Sequence, residues 1–407
     1  MTTQVLAGVR VLDFGRYVAG PYCATLLGYL GAEVIRIEKR EGGEDRFIAP
    51  VTAHGEGAVF LQTGCNKKSL TLDPALSAAR PVLARLIASA DIVVANLPPV
   101  SLTKLGLDYV SLCAIRHDII LVTQTAFGDA GPYRDLGGFD GICQAMSGAM
   151  HITGTPGAPA KAAAPYVDYS TAVLSAFGAL AALLHRRTTG QGQEVKTSLL
   201  GTALALFNSH LIEQSVLGIN RQGSGNRVQT SAPSDVFATT DGHVLVHVVG
   251  NGLFRRWVKL MASDSSKAGR GSAESQWLQD ARFATDQSRG DHSEPILERM
   301  RLWCTHRSTA QAIAELNAAG LPAGPVNTLQ QALDDPQVAA MRFLHSISDY
   351  PGLPRAAAVA DLPVQLSKTP GGITQPPPTL GQHNDQVLGE LGYSAAEIAG
   401  LRSSAVI

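Results

Sequence analysis

The amino-acid sequence predicts an α/β protein whose large domain is built on a Rossmann-like parallel sheet. In the first half of the chain, short apolar and β-branched runs alternate with helix-like segments; the clearest runs cover residues 9–14, 34–37, 91–95 and 119–123. Because these runs are continuously apolar, both of their faces would be buried, as in a parallel sheet with helices on each side. Pro21 and Pro81 suit the first turns of two intervening helices.

The length of the chain, 407 residues, exceeds what a single compact core normally contains. We assign residues 1–220 to the large Rossmann-like domain. The character of the sequence changes near Asn226, so we assign residues 226–325 to a smaller α+β domain, with a surface loop from Ser263 to Ser275. Residues 326–407 form a C-terminal segment that we expect to return to the large domain.

Composition excludes several classes of function. The 33 Lys and Arg residues nearly balance the 34 Asp and Glu residues, so no global field would hold the protein on nucleic acid or on an anionic membrane. No strand is followed by G-x-G-x-x-G, and no P-loop motif occurs. The scattered cysteines and histidines lack metal-site spacing, so we expect no metal. No signal peptide is evident, and the most apolar helix candidate, 171–184, is too short to span a bilayer, so we expect a cytoplasmic protein.

Asp168 is the first candidate for chemistry. It precedes a long run of helix formers that ends in a basic stretch, with Gly190 as the predicted C-cap. One interpretation makes Asp168 an N-cap whose carboxylate accepts a hydrogen bond from an amide of the first turn. The other makes it a functional group, since the positive potential of a helix N-terminus would keep it ionised and able to attack an acyl carbon.

Basic residues follow or approach the ends of the early strands, where ligands bind in open α/β sheets. They are Arg16, Lys39, Arg40, Lys67, Lys68 and Lys104. Such a local cluster would receive an anionic ligand that a nearly neutral protein does not otherwise attract. The alternative is that each is an ordinary surface residue.

Nine segments, in order along the chain, carry a resemblance to a known family. They are GVRVLDFGRYVAGPYCATLLGYLGAEVIRIE (8–38), NKKSLTLD (66–73), ADIVVANLPP (90–99) with KLGLDY (104–109), FGDAGPY (127–133), GFDGICQAMSGAMHITG (138–154), the VDYS turn at Asp168, RRTTGQGQEVKTSLL (186–200), GLPAGPVNT (320–328) and PPPTLGQHNDQVLGELGYS (376–394). On these segments the sequence resembles the class III coenzyme A transferases, the CaiB/BaiF group that includes formyl-CoA transferase-like enzymes.

The resemblance implies a covalent transfer mechanism. Asp168 falls where the family keeps its nucleophilic aspartate, which would form an aspartyl anhydride and then an aspartyl-CoA thioester. Coenzyme A would be held at positions that align with the family's binding residues: Arg16, Val18, Ala19, Lys39, Leu72, Asn96, Leu97 and Lys104. The substrates would be an acyl-CoA and a carboxylic acid, with no permanently bound cofactor. The family fold also implies an interlocked homodimer of rings.

Two departures from family patterns narrow the function. Formyl-CoA/oxalate members carry glutamine where this chain has Val18, which disfavours oxalate. The related α-methylacyl-CoA racemases keep a histidine where Phe139 stands, and racemisation needs an acid and a base on opposite faces of the α-carbon. Family members that handle succinyl-CoA and another dicarboxylate resemble this chain most overall, which implies transfer of coenzyme A from succinyl-CoA or a similar dicarboxylyl-CoA to a carboxylic acid. An acyl-CoA racemase or isomerase of the same fold, or a non-catalytic CoA-binding protein, remains the alternative.

Overall fold

The structure is a computed structural model that describes residues 4–264 and 275–407. The chain forms two compact units. The first comprises residues up to Ala149 together with 162–219 and 336–407, and the second comprises 150–161 and 220–335. The domain boundaries predicted from the sequence stay a prediction, and most of the predicted loop from Ser263 to Ser275 lies outside the described residues.

Strands and helices alternate through the first half of the chain. The strands are β1 (Arg10–Asp13), β2 (Glu33–Glu38), β3 (Lys67–Thr71), β4 (Ile92–Ala95), β5 (Ile120–Thr125), β6 (Glu194–Ser198), β7 (Ser234–Ala238), β8 (His243–His247), β9 (Ala323–Pro325), β10 (Leu344–Ile347) and β11 (Ala357–Ala360). The helices are α1 (Ala19–Tyr29), α2 (Ala58–Thr63), α3 (Arg80–Ser89), α4 (Pro99–Leu105), α5 (Tyr109–Ile115), α6 (Asp140–Met146), α7 (Ala149–Thr153), α8 (Tyr166–Thr189), α9 (Leu199–Leu206), α10 (Asn208–Leu217), α11 (Asn251–Ala262), α12 (Asp286–Asp291), α13 (Glu294–Cys304), α14 (Thr309–Ala318), α15 (Leu329–Leu333), α16 (Pro336–Met341), α17 (Asn384–Glu390) and α18 (Ala395–Ser403).

The first unit is built on a six-stranded parallel sheet with the order β3-β2-β1-β4-β5-β6. The predicted α/β fold is therefore confirmed. The chain moves outward from β1 to β3 and then returns to place β4 on the other side of β1, so Leu12 lies between Ile35 and Val93. At such a reversal of strand order the loops that follow the two central strands diverge and leave a crevice at the carboxyl edge of the sheet.

Both faces of the sheet are buried, which explains the continuously apolar strands. Leu12 belongs to a core that includes Leu86 of α3, whereas Val11 belongs to the opposite core with Leu27 of α1 and Ala176 of α8. Pro21 lies in the first turn of α1, and Pro81 lies in the first turn of α3, as predicted. The continuously apolar strands are therefore explained by three layers, in which helices pack on each face of the sheet.

Helix α8 is longer than its most apolar stretch suggested. It runs for 24 residues from Tyr166 and ends at Gly190, which adopts φ +74° and donates its amide to the Arg186 carbonyl. This confirms the predicted C-cap. The helix is long and apolar enough to cross a membrane, but half of its apolar stretch is buried within the protein, as in the core helix of an α/β fold.

The sequence from Thr202 to Leu217 indicates a single helix, and this interpretation is wrong in both its start and its continuity. The structure has two helices, α9 and α10, because Phe207 leaves the helical region with φ −102° and ψ 6°. Ser198 caps the first of them by accepting a hydrogen bond from the Gly201 amide.

The C-terminal segment lies along the free edge of β3. The His383 amide donates to the Ser69 carbonyl, and Nδ1 of His383 accepts from the Ser69 amide at 3.1 Å. Asn384 Oδ1 accepts from the Thr71 amide at 2.9 Å. Side chains therefore satisfy the backbone groups that an edge strand otherwise leaves exposed.

The second unit contains a small antiparallel sheet of β7, β8 and β9 with helices against it. Its core contains Phe254 and Trp257 of α11 and Trp303 of α13, all almost completely buried. The sequence interpretation of this region as α+β agrees with these elements.

Candidate active site

Asp168 lies in the first turn of α8, at the carboxyl edge of the sheet, but it is not the N-cap. The helix begins two residues earlier at Tyr166, and Pro165 occupies the N-cap position. The prediction that Asp168 itself caps the helix is therefore wrong. Its carboxylate receives no hydrogen bond from any group in residues 4–264 and 275–407, and it is only partly exposed.

Asp140 provides the cap from a distant part of the chain. Its Oδ2 accepts hydrogen bonds from the amides of Val167 at 2.7 Å and Asp168 at 3.2 Å. Its Oδ1 accepts from the Gln144 side-chain amide, whose own Oε1 accepts from the Ala162 amide at 3.0 Å. Asp140 is 6% exposed, so this cap is a buried contact between α6 and α8. Losing a cap of this kind costs about 1 kcal/mol.

The surroundings raise the pKa of Asp168 to about 7. Burial is the main cause, and the nearby charge of Asp140 adds to it. The amides of Val167 and Asp168 donate to Asp140, so they do not stabilise the Asp168 charge in the way that the sequence suggests. Burial, with these same two carboxylates, also raises the pKa of the neighbouring Cys143 thiol to about 11.

Aromatic side chains flank both Asp140 and Asp168. The Tyr169 ring packs edge-on against Tyr22 at 4.9 Å, and its hydroxyl donates to Gln62 Oε1 at 2.5 Å. Phe139, which precedes Asp140, packs edge-on against Tyr17 at 5.4 Å and is 59% exposed. Tyr169 directly follows Asp168 in α8, and the exposed Phe139 ring leaves an apolar surface beside Asp140.

The loop between β1 and α1, together with the first residue of α1, carries three of the predicted CoA-binding residues. Val18 and Ala19 are buried, so they present little surface to a ligand. The Arg16 side chain is 43% exposed and remains accessible. The next two predicted residues follow β4, on the other side of the reversal in strand order, so the sheet brings the two groups to one crevice.

Those two residues differ in their availability. The Asn96 side chain already makes two hydrogen bonds, since Oδ1 accepts from the Arg16 amide and Nδ2 donates one of its two hydrogens to the Arg16 carbonyl, both at 2.7 Å. Leu97 is half-buried against the apolar core and lines a cavity of about 350 Å³ with Thr103 and other residues. Leu72 is completely buried, main chain included, so the structure does not present this predicted residue to coenzyme A.

The predicted cations separate into accessible and structural groups. Lys39 and Lys104 are exposed. Glu44 lies between Lys39 and Arg16, with Oε1 at 3.5 Å from Lys39 Nζ and Oε2 at 3.8 Å from Arg16 Nη1. These ion pairs lower the pKa of Glu44, although its own backbone hydrogen bond is the larger cause. Nothing in the sequence singles out Glu44. Its importance follows only from its position between two cations in the fold.

Lys67 and Lys68 do not belong to an exposed ligand site. Lys67 is buried, with Nζ at 2.8 Å from Asp13 Oδ2 and 2.7 Å from the Pro21 carbonyl, so the surface interpretation is wrong for it. Lys68 pairs with Glu33 at 2.6 Å and Glu390 at 3.1 Å. Within the part of the chain that the structure describes, no group of three or more metal-ligating side chains occurs.

The comparison with protein families decides the class of this site. The family model described as CoA-transferase family III matches residues 6–384. The chain belongs to CoA-transferase family III. It is therefore an enzyme of this class, and it transfers coenzyme A between carboxylic acids.

Named CoA-transferases align with this chain over almost its whole length. It is 32% identical to the succinyl-CoA--D-citramalate CoA-transferase of Chloroflexus aurantiacus, over 99% of this chain and 98% of that one. It is 32% identical to the succinate--glutarate CoA-transferase of Agrobacterium fabrum, over 95% of both chains. Among solved structures, a CAIB/BAIF family protein from Brucella suis superposes with a TM-score of 0.82 at 28% identity, over 96% of this chain and all of that one.

Proposed function

We propose that this family III enzyme transfers coenzyme A from succinyl-CoA, or a similar dicarboxylyl-CoA, to a carboxylic acid through covalent intermediates on Asp168. The names of its relatives support the donor, since those that act on D-citramalate, glutarate and L-malate are each named for succinyl-CoA or succinate. These acceptors are all dicarboxylic acids, so we propose a dicarboxylate acceptor as well.

The observation that carries the proposal is the state of Asp168. It is a partly buried carboxylate at the carboxyl edge of the sheet, and its pKa is raised to about 7. A more basic carboxylate is a better nucleophile, while at neutral pH about half of it is still ionised. Because Asp140 caps the helix, the Asp168 carboxylate is free to react without a loss of helix stability.

The proposed exchange consists of four displacements at acyl carbons. Asp168 attacks the donor thioester, forming an aspartyl anhydride and releasing CoA thiolate. The thiolate attacks the Asp168 carbonyl, which releases the donor acid and leaves an aspartyl-CoA thioester. The acceptor carboxylate then attacks this thioester, forming a second anhydride and thiolate. Attack of the thiolate on the acceptor acyl carbon gives the new acyl-CoA and regenerates the Asp168 carboxylate.

Holding the thiolate near the anhydride makes each return step effectively intramolecular. Arg16, Lys39 and Lys104 provide accessible positive charge for the phosphates of coenzyme A. Phe139 has no group that could exchange a proton with an α-carbon. Because racemisation needs such a group, its absence at this position favours transfer over racemisation.

A homodimer is the second part of the proposal. Two helices of the first unit expose large apolar side chains: Phe177 and Leu184 of α8 at 70% and 63%, and Val216 and Leu217 of α10 at 72% and 65%. Apolar surface of this kind is typical of an interface between subunits. We propose that a second copy of the chain covers it, and the family resemblance implies the interlocked form.

An acceptor screen tests the proposed donor and acceptor class. Purified enzyme is mixed with succinyl-CoA and one acid at a time, and the acyl-CoA products are separated and weighed by mass spectrometry. We expect turnover with one or more of D-citramalate, glutarate and L-malate, and none with the Asp168→Asn variant. Turnover restricted to monocarboxylic acids, with succinyl-CoA inactive as the donor, would contradict the proposal.

A further inference from the structure

The loop between β1 and α1 contains an unusual backbone conformation. Tyr17 has φ +61°, which is the left-handed region that bulky L-residues rarely adopt. Such a residue persists only where the surrounding structure fixes it, and these positions are frequent at functional sites. Contacts with the surrounding structure, and not the intrinsic backbone preference of Tyr17, must therefore hold the loop that carries Arg16 and Val18.

Asn96 fixes the residue immediately before Tyr17. Its side chain makes two reciprocal hydrogen bonds with the main chain of Arg16, one to the amide and one to the carbonyl, both at 2.7 Å. Asp13 Oδ1 accepts the Gly15 amide at 2.8 Å. The loop is thus pinned from β4 on one side and from β1 on the other.

Close packing leaves the loop no room to relax around Asn96. A Cβ at Gly20 would lie 3.0 Å from Asn96 Oδ1, and a Cβ at Gly15 would lie 2.7 Å from both Asp13 Oδ1 and the Pro21 ring. These two positions accept only glycine because the Asn96 side chain and the start of α1 occupy the space. The sequence G-R-Y-V-A-G is consistent with this clamp.

Tyr17 connects the clamped loop to the helix that carries Asp168. The Tyr17 ring packs against Phe139 at 5.4 Å, and the next residue, Asp140, holds the amides of Val167 and Asp168. The loop that carries predicted CoA-binding residues and the helix that carries the nucleophile are therefore linked by one continuous series of contacts.

We infer that Asn96 is a positioning residue, which fixes the main chain at Arg16 and Tyr17 so that Arg16 faces substrate, instead of donating its own amide to coenzyme A. The inference rests on the proposed function in one respect, namely that this loop binds the acyl-CoA substrate. It differs from the role implied by family resemblance, in which position 96 contacts coenzyme A directly.

Four full-length proteins separate the two roles: wild type, Asn96→Ala, Tyr17→Gly and the double variant. Titration calorimetry gives the dissociation constant for free coenzyme A. We expect Asn96→Ala to weaken binding about tenfold, because the loop relaxes once the clamp is lost. Since glycine adopts positive φ without strain, adding Tyr17→Gly should restore most of that loss. A loss of the same size in both backgrounds would overturn the inference, because a direct contact cannot be restored in this way.

Hydrogen exchange of the CoA-free proteins provides an independent readout. In Asn96→Ala, the amides of residues 14–18 and of the start of α6 should exchange at least about tenfold faster than in the wild type. Unchanged exchange there would contradict a clamp that acts before substrate binds. This measurement needs no turnover, so it distinguishes failure of the clamp from failure of the proposed chemistry at Asp168.

Asn66 supplies a matched control at the amino edge of the sheet. Its side-chain amide donates to the Gly28 and Gly372 carbonyls, and its Oδ1 accepts from the amides of Thr374 and Gln375. Asn66→Ala removes a clamp of the same kind and should lower the melting temperature while it leaves the affinity for coenzyme A unchanged. Equal losses of affinity in Asn66→Ala and Asn96→Ala would reduce the role of Asn96 to general stability.

Discussion

At the scale of single residues, Asp140 and Asp168 lie at the same helix end but have different surroundings. Asp140 accepts hydrogen bonds from two main-chain amides and from Gln144. Asp168 has only burial and the neighbouring negative charge, which together raise its pKa to about 7. Asp140 therefore caps the helix, which leaves Asp168 available for the nucleophilic role that we propose for it.

Replacing Asp168 with asparagine should separate activity from stability. We expect the transfer rate to fall at least about a thousandfold, because the covalent intermediates cannot form. The melting temperature at pH 8 should stay the same or rise, since the variant no longer buries a charge. Transfer assays and circular dichroism measure the two effects, and a large drop in melting temperature would mean that Asp168 has a structural role.

The raised pKa also predicts the pH dependence of the reaction. The nucleophile is the ionised form, so kcat/KM should rise as the pH increases and reach half its maximum near pH 7. Asp140→Asn keeps an oxygen for the helix amides but removes the charge, so the midpoint should move to lower pH. A pH profile for each protein tests this, and an unchanged midpoint would exclude a contribution from Asp140.

Glu44 should compete with the phosphates of coenzyme A for Arg16 and Lys39. Glu44→Gln is expected to lower the KM for succinyl-CoA by roughly threefold at low ionic strength, and the effect should shrink as salt is added. Glu41→Gln changes the net charge equally on the same loop and serves as the control. Equal effects of both substitutions would mean that only net charge matters.

At the scale of elements, local sequence patterns predicted the features that depend on neighbouring residues in the chain. Continuous apolar runs gave the parallel strands, Pro21 gave the start of α1, and Gly190 gave the end of α8. The start of α8 was wrong because its cap, Asp140, comes from a different helix 28 residues earlier. No local pattern indicates a partner at that distance.

The candidate site shows the same limit. Asp168 was a candidate because it lies at the start of a predicted helix, and the resemblance implied its role as the nucleophile; the structure places it in the first turn of that helix. The sequence did not indicate that Lys67 is buried, since its partner Asp13 is 54 residues away and meets it only in the folded sheet. Nor did it show that the side chain of Asn96 already binds the Arg16 main chain.

The attachment of the C-terminal segment to β3 should depend on pH through His383. Its Nδ1 accepts the Ser69 amide, and burial, followed by the charge of Lys68, lowers its pKa. A lowered folded-state pKa means that the unfolded chain takes up the proton first, so stability falls as the pH drops below about 6.5. Thermal melts between pH 5 and 8 should show this decline in the wild type and a weaker one in His383→Gln. Parallel curves would exclude His383 as the cause.

At the scale of the whole molecule, the proposed dimer accounts for the exposed apolar side chains of α8 and α10. Light scattering should give twice the mass of one chain. Phe177→Glu places a charge on this surface and should reduce the dimer fraction, whereas Leu278→Glu, at another exposed apolar position, should not. A monomeric wild type would contradict the proposal and leave the apolar surface without an explanation.

The central claim is that Asp168 carries the transferred group, and trapping tests it most directly. Enzyme is mixed with succinyl-CoA in the absence of an acceptor, treated with hydroxylamine, digested and analysed by mass spectrometry. Hydroxylamine converts an activated aspartyl carbonyl into a hydroxamate, so we predict this modification on the peptide that contains Asp168 and its absence in Asp168→Asn. An enzyme that turns over succinyl-CoA and an acceptor without any modification of that peptide would contradict the covalent mechanism.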